Sequence, residues 1–189
     1  MKANYLAEKF AAALPYGRYV ETGTDEQRRR WRQVYDAARL TDEQARLVAG
    51  FTRDMKVLIV SGIWCGDCVQ QCPLLQRCAE GNPVRIDLRL LDRDEHRDLT
   101  EQVRLNGGDR VPVALFLAED HELCGVYGDR TLHRYRALAA RQLGPSCPTG
   151  LMPPPADELA ATLQDWVNEL ERIQLMLRLS ARLRQKHND

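Results

Sequence analysis

The chain has 189 residues, 27 Lys+Arg against 27 Asp+Glu, a formal net charge of zero, 44% hydrophobic residues and 29% charged ones. The charge balance excludes electrostatic capture of nucleic acid or of an anionic membrane surface as the main role, and the composition excludes disorder, collagen and low complexity as descriptions of the whole. The apolar runs are too short to span a bilayer, and the charges of the first ten residues fall where a signal peptide needs its apolar segment, so the expectation is one elaborated domain in the cytoplasm.

Residues 1–40 read as an N-terminal helical extension. The segment 3–14 places Leu6, Phe10, Ala13 and Leu14 on one face, and Pro15 with Gly17 ends it. Thr-Asp-Glu-Gln then occurs at 24–27 and again at 41–44, each copy with a Thr hydroxyl at the N-cap and a Gln at N3, the reciprocal pairing of a capping box. The second starts a helix carrying Ala45, Val48, Ala49 and Phe51.

From residue 56 the period changes. Lys-Val-Leu-Ile-Val-Ser at 56–61 is a short β-branched run that suits a buried parallel strand, and 84–90 alternates as a half-buried strand does. The residues between them suffice for a crossover helix, which makes a βαβ unit. A helix is expected over 94–105, closed by Asn106-Gly107-Gly108. Strands at 113–117 and 122–127 form a hairpin, and a helix over 131–143 stops at Gly144-Pro145. Residues 144–156 hold five prolines and read as a stiff linker. Residues 157–189 read as one long helix, with Leu159, Leu163, Trp166, Leu170, Ile173 and Leu177 spaced 4, 3, 4, 3, 4. That seam either packs on the N-terminal helices of the same chain or pairs two copies as a homodimer.

Of six cysteines, Cys65, Cys68, Cys72 and Cys78 crowd into 14 residues, with Cys124 and Cys147 downstream. A chain of this size buries a core without disulfide staples, so clustered cysteines point to chemistry. Trp64-Cys65-Gly66-Asp67-Cys68 stands between an apolar strand and a helix. A cysteine at a helix start gains from unpaired N–H groups and the helix dipole, which favour its thiolate, the nucleophile of disulfide exchange. Cys65 is accordingly the candidate nucleophile, active near neutral pH. Cys68, one turn in, is the candidate resolving thiol. Cys72, Cys78 and Cys124 read as packing residues, and Cys147 as a linker cysteine. An iron–sulfur reading of Cys65-x2-Cys68-x3-Cys72-Pro73 lacks its first cysteine, since position 62 is Gly, and the spacing is not a usual zinc one, so no metal is expected.

Trp-Cys-Gly-x-Cys after a buried strand resembles the thioredoxin superfamily. Pro73, five residues after Cys68, matches the proline of the family's active-site helix, and Val111-Pro112 matches its cis-proline beside the sulfurs. The element order over 55–143 matches its core. The resemblance implies an α/β, thioredoxin-like domain at 41–143 with a four- to five-stranded mixed sheet, because no family-like first strand precedes residue 41. It also implies a groove shaped by Trp64, Gly66, Asp67, Val111 and Pro112, substrates that are protein or small-molecule disulfides, an external reductase as electron donor, and no cofactor beyond the Cys65–Cys68 dithiol. Two departures stand out. The position six before Cys65, often a buried acid in the family, is Ile59, and the usual proline between the cysteines is Asp67. A carboxylate beside Cys65 disfavours its thiolate and biases the couple toward reduction. The expected function is a thiol–disulfide oxidoreductase. The alternative is a binding or assembly module that docks partners through its helical extensions.

Overall fold

The computed structural model describes residues 1–143 and 157–189; the proline-rich stretch 144–156, with Cys147 and the expected Gly144-Pro145 stop, lies outside the described residues. Helix α1 (Ala3–Ala12) buries Leu6 and Phe10. The chain then extends into β1 (Leu14–Pro15), which pairs antiparallel with Leu90 and Arg89 of a later strand. Pro15 thus ends a helix and also serves an edge strand, where its missing N–H costs nothing. Helix α2 (Tyr16–Glu21) follows directly. Both capping boxes form. In α3 (Asp25–Ala37) Thr24 Oγ1 accepts from Gln27 N at 3.3 Å and Gln27 Oε1 from Thr24 N at 2.8 Å. In α4 (Asp42–Ala49) the equivalent distances at Thr41 and Gln44 are 3.2 and 2.9 Å.

Strand β2 (Met55–Ser61) is buried on both faces, as its unbroken apolar run requires. Helix α5 (Gly66–Glu80) crosses over to β3 (Ile86–Asp92), parallel to β2. The strand begins two residues later than its alternation suggests. Asn82 holds a turn there, donating Nδ2 to the carbonyls of Val48, Ala49 and Phe51 and accepting from Arg85 N and Ile86 N, so Val84 is left exposed. The helix expected at 94–105 shrinks to α6 (Arg97–Thr100) and a 3-10 turn (Glu101–Val103). The Asp92 carboxylate captures Asp94 N and Glu95 N, and the Thr100 hydroxyl donates to Arg93 O and His96 O; such local bonds compete with helix. Strands β4 (Val113–Ala118) and β5 (Leu123–Gly128) form the expected hairpin, and α7 (Leu132–Leu143) follows.

The sheet has five strands in the order β1-β3-β2-β4-β5, mixed, with every pairing antiparallel except β2 with β3. The first strand is drawn from the segment that reads as an N-terminal extension. The C-terminal helix is two helices, α8 (Glu158–Leu179) and α9 (Ala181–His187), because Ser180 leaves the helical conformation and caps the second. The seam residues Leu163, Trp166, Leu170, Ile173 and Leu177 are buried within the chain. Helix α8 packs chiefly on α5 and α7, with smaller contacts to α4 and β5, and not chiefly on the N-terminal helices. No helix among the described residues is long and apolar enough to cross a membrane.

One buried side chain ties α8 to the loop entering β2. Gln174 Oε1 accepts from Arg53 N at 2.7 Å and from Thr52 N at 3.2 Å, while Nε2 donates to Arg53 O at 3.1 Å. Gln174→Met keeps the volume but leaves these backbone groups unpaired, and is expected to cost about 1–3 kcal/mol in urea denaturation. Leu175→Ala next to it removes an exposed side chain and should stay within about 0.5 kcal/mol of wild type.

Candidate active site

The dithiol sits where β2 hands over to α5. The connecting loop is fixed from behind by fully buried Trp31, whose indole N–H donates to Ile63 O at 2.9 Å. Cys65 N donates to Gly62 O at 2.9 Å and so closes a turn that brings the Trp64 ring over Gly62. A Cβ at position 62 would lie 2.8 Å from that ring, so any larger residue would force the Trp64 side chain aside. Trp64 stays 46% exposed, with the Arg93 guanidinium 4.7 Å from its ring centre.

Cys65 is the N-cap of α5 and partly exposed; Cys68, one turn on, is fully buried. The Val111–Pro112 peptide is cis, and Cys65 Sγ donates to Val111 O at 3.6 Å. The loop holding these residues is closed by β5: a Cβ on Gly128 would sit 2.5 Å from Pro112 O. Gly62 N–H donates to Cys68 Sγ at 3.4 Å. The fold therefore brings together Trp64, Cys65, Cys68, Val111 and Pro112. Gly66 opens α5 with free space where a side chain would be, and Pro73 lies buried within a helix that runs on past it. Cys72 and Cys78 are buried and Cys124 is half-buried, consistent with packing. Among the described residues no cluster of His, Cys, Asp and Glu is arranged to hold a metal ion.

Two features of the site correct the sequence reading. The first concerns Cys65. Its hydrogen bond to Cys68, its partial burial and the charge of Cys68 push its pKa up, and these outweigh the helix-start N–H groups of Asp67 and Cys68, which pull it down. Burial pushes Cys68 well up too. Two thiols in contact titrate as a pair, so the lone-cysteine argument that expected a thiolate near neutral pH does not apply. The second concerns Asp67. Its carboxylate accepts from Arg130 Nη2 at 2.5 Å and Nε at 2.9 Å, and from Arg134 Nε and Nη2 at 3.2 Å each. With two guanidinium groups upon it, this carboxylate is not the uncompensated charge that was expected to repel the Cys65 thiolate.

The ion pairs continue outward. Arg134 also binds Glu158 at the start of α8 at 2.6 Å, and Arg141 binds the same carboxylate at 2.8 Å. Arg130 reaches Asp129 at 3.0 Å, and Asp129 in turn takes Arg110 at 3.2 Å and the Tyr135 hydroxyl. Burial works to raise the Asp129 pKa, yet the bonds from Tyr135 and Arg110 and the charge of Arg130 hold it below the usual carboxylate range. Gln71 is the residue that sequence reasoning missed. It is fully buried in α5, donates Nε2 to Asp129 O at 2.9 Å, and accepts Thr131 N on Oε1 at 3.1 Å. The one signal available in the sequence is a polar residue on the helix face that also carries Cys68 and Leu75.

Because Asp67 links α5 to α7, Asp67→Asn is expected to lower stability by about 1–3 kcal/mol, between the values for exposed and buried ion pairs. Arg134→Gln in the same background should then cost less than in wild type, a coupling that a double-mutant cycle in urea would read.

A family model described as Thioredoxin matches residues 13–140. Among solved structures, a Pseudomonas aeruginosa protein of unknown function superposes with a TM-score of 0.67 and 19% identity, over 88% of this chain and 95% of that one. An HIV epitope-scaffold superposes with a TM-score of 0.64 and 18% identity, over the same shares of the two chains. No curated protein matches the sequence. At these identities the superpositions speak for the fold; the family match covers more than half of the chain, and with the cis-proline laid against a Cys-x-x-Cys helix start it establishes that this protein belongs to the thioredoxin family.

Proposed function

We propose that the protein is a thiol–disulfide oxidoreductase that works through Cys65 and Cys68. The observation that carries this reading is the placement of the two sulfurs. Cys65 is at the surface against the Val111 carbonyl, and Cys68 is buried directly behind it. The deprotonated Cys65 sulfur attacks one sulfur of a substrate disulfide. A mixed disulfide forms, and the other substrate sulfur leaves with the electron pair and takes a proton. Cys68 then attacks Cys65 Sγ, which closes the Cys65–Cys68 disulfide and expels the second substrate sulfur. Two electrons have moved to the substrate, and an external dithiol donor restores the pair. An extended substrate segment would lie across Trp64 with its backbone along Val111-Pro112. The scheme uses no metal or organic cofactor.

A reductive bias rests here on different grounds from those in the sequence. Thiolates that the protein does not stabilise leave the reduced state without ionisation energy, and that favours the disulfide form and electron donation. The raised values at Cys65 and Cys68 act in that direction, whereas the Asp67 carboxylate is taken up by ion pairs to Arg130 and Arg134.

Insulin reduction by a small dithiol should be accelerated by wild type and fall to background in Cys65→Ser. Cys68→Ser should instead accumulate a mixed disulfide visible by mass spectrometry. Wild type and Cys65→Ser both at background would leave the fold as a binding scaffold. A second prediction concerns pH. Cys65 should be alkylated before Cys68, Cys72 and Cys78, which are buried. Its rate should keep climbing with pH beyond the ordinary thiol value of about 8.5, because its pKa is raised. A plateau at neutral pH, measured by peptide mapping, would contradict this environment.

A further inference from the structure

Helix α8 carries a second stripe on the face opposite its buried seam. Gln164, Asn168, Glu171, Leu175, Arg178 and Arg182 follow one another at spacings of 4, 3, 4, 3 and 4 residues, the period of a helix-pairing surface. Leu175 on this stripe is 54% exposed, and Leu179 beside it is 77% exposed. Single exposed leucines are ordinary, but these two lie one turn apart at the edge of an apolar groove. That groove, about 260 Å³ between α4 and α8, takes its apolar wall from Leu47, Phe51 and Leu175, with Glu171 and Arg178 standing at it.

The charges on the stripe suit one kind of occupant. Glu171 and Arg178 are seven residues apart, two helical turns or about 10 Å, with Leu175 between them. Arg172, next to Glu171, pairs with Glu169, and among the described residues Glu171 has no ion pair of its own. Arg178 gives one nitrogen to Asp189 at 2.5 Å, and its side chain remains 45% exposed. A surface with its acid at one end and its base at the other complements a copy of itself turned by a two-fold axis. With the axis at residues 174–175, a second α8 laid antiparallel sets Glu171 of each copy beside Arg178 of the other. Leu175 then lies at the centre, and Leu179 covers the turn that holds Glu171. A parallel pairing would instead oppose Glu171 to Glu171 and Arg178 to Arg178.

We propose that the protein forms a homodimer through this outer stripe of α8, antiparallel, with Glu171 of each copy paired to Arg178 of the other. The inner seam stays within each chain, and Leu175 and Leu179 are withdrawn from water. The contact is a few helical turns and a groove, so it belongs with the small reversible interfaces, with a dissociation constant on the order of tens of micromolar. Dilute protein is monomeric.

Sedimentation equilibrium of the full chain, run with a thiol reductant to exclude disulfide-linked species, reads the association directly. Between about 2 and 200 μM the mean mass should rise from the monomer value of 21.6 kDa toward twice that value. Leu175→Asp should hold it at the monomer value throughout. Glu171→Arg and Arg178→Glu should each raise the dissociation constant about 10-fold or more, because each sets like charges against one another across the axis. An equimolar mixture of these two variants should dimerise again, since every contact between positions 171 and 178 then joins an arginine to a glutamate. A wild type that stays monomeric over the whole range would overturn the proposal. So would a dimer that survives Leu175→Asp, or a mixture no more associated than its components. Should circular dichroism show Leu175→Asp unfolded, the two charge variants and their mixture decide alone.

Discussion

The amide of Gln71, fully buried in α5, is satisfied at both ends by the backbone of the β5–α7 connection, donating to Asp129 O and accepting from Thr131 N. A buried amide paired in this way tolerates little displacement, because each lost bond strands a polar group away from water. It therefore holds the first turns of α5 at a set distance from the turn after β5. Asp67, one helical turn earlier, reaches Arg130 and Arg134 of the same region. On the opposite side Trp31 holds the carbonyl of Ile63. Along the chain Cys65 and Cys68 lie between Ile63 and Gln71, so these anchors bracket the dithiol.

The same anchoring decides the electrostatics of the dithiol. A carboxylate between two cysteines reads as a negative charge beside the nucleophile when only the chain order is known. Two arginines from the β5–α7 region, sixty-odd residues away in the chain, convert it into a structural tether. What shapes the cysteine titration instead is the contact between the sulfurs, which raises Cys65, and burial, which raises both thiols and Cys68 most. The charge network runs on through Glu158 to α8, so the C-terminal helix, whose apolar seam covers α5 and α7, also supports the helix that carries the two cysteines.

Much of this protein was legible from its residues. Two Thr-x-x-Gln boxes mark helix starts because the pairing is made within four residues. The run at 56–61 reads as a central strand because both faces must be apolar to be buried there. Cys65, Cys68, Val111 and Pro112 announce a family whose geometry depends on those residue types. Boundaries were less legible wherever side chains bond to nearby backbone, as Asn82 does before β3 and Asp92 before α6.

What the sequence by itself determined were the local and periodic features: caps, strand cores, the α8 seam and the Cys-x-x-Cys pair of the candidate site. These rest on interactions within a few residues or on simple burial, so no partner has to be known in advance. Tertiary structure alone decided which groups meet across long chain separations. It drew Leu14–Pro15 into the sheet as a fifth strand and gave Asp67 its arginines. A two-residue strand has no period to detect, and the charge that a carboxylate presents is settled by its neighbours in space, not by its neighbours in the chain.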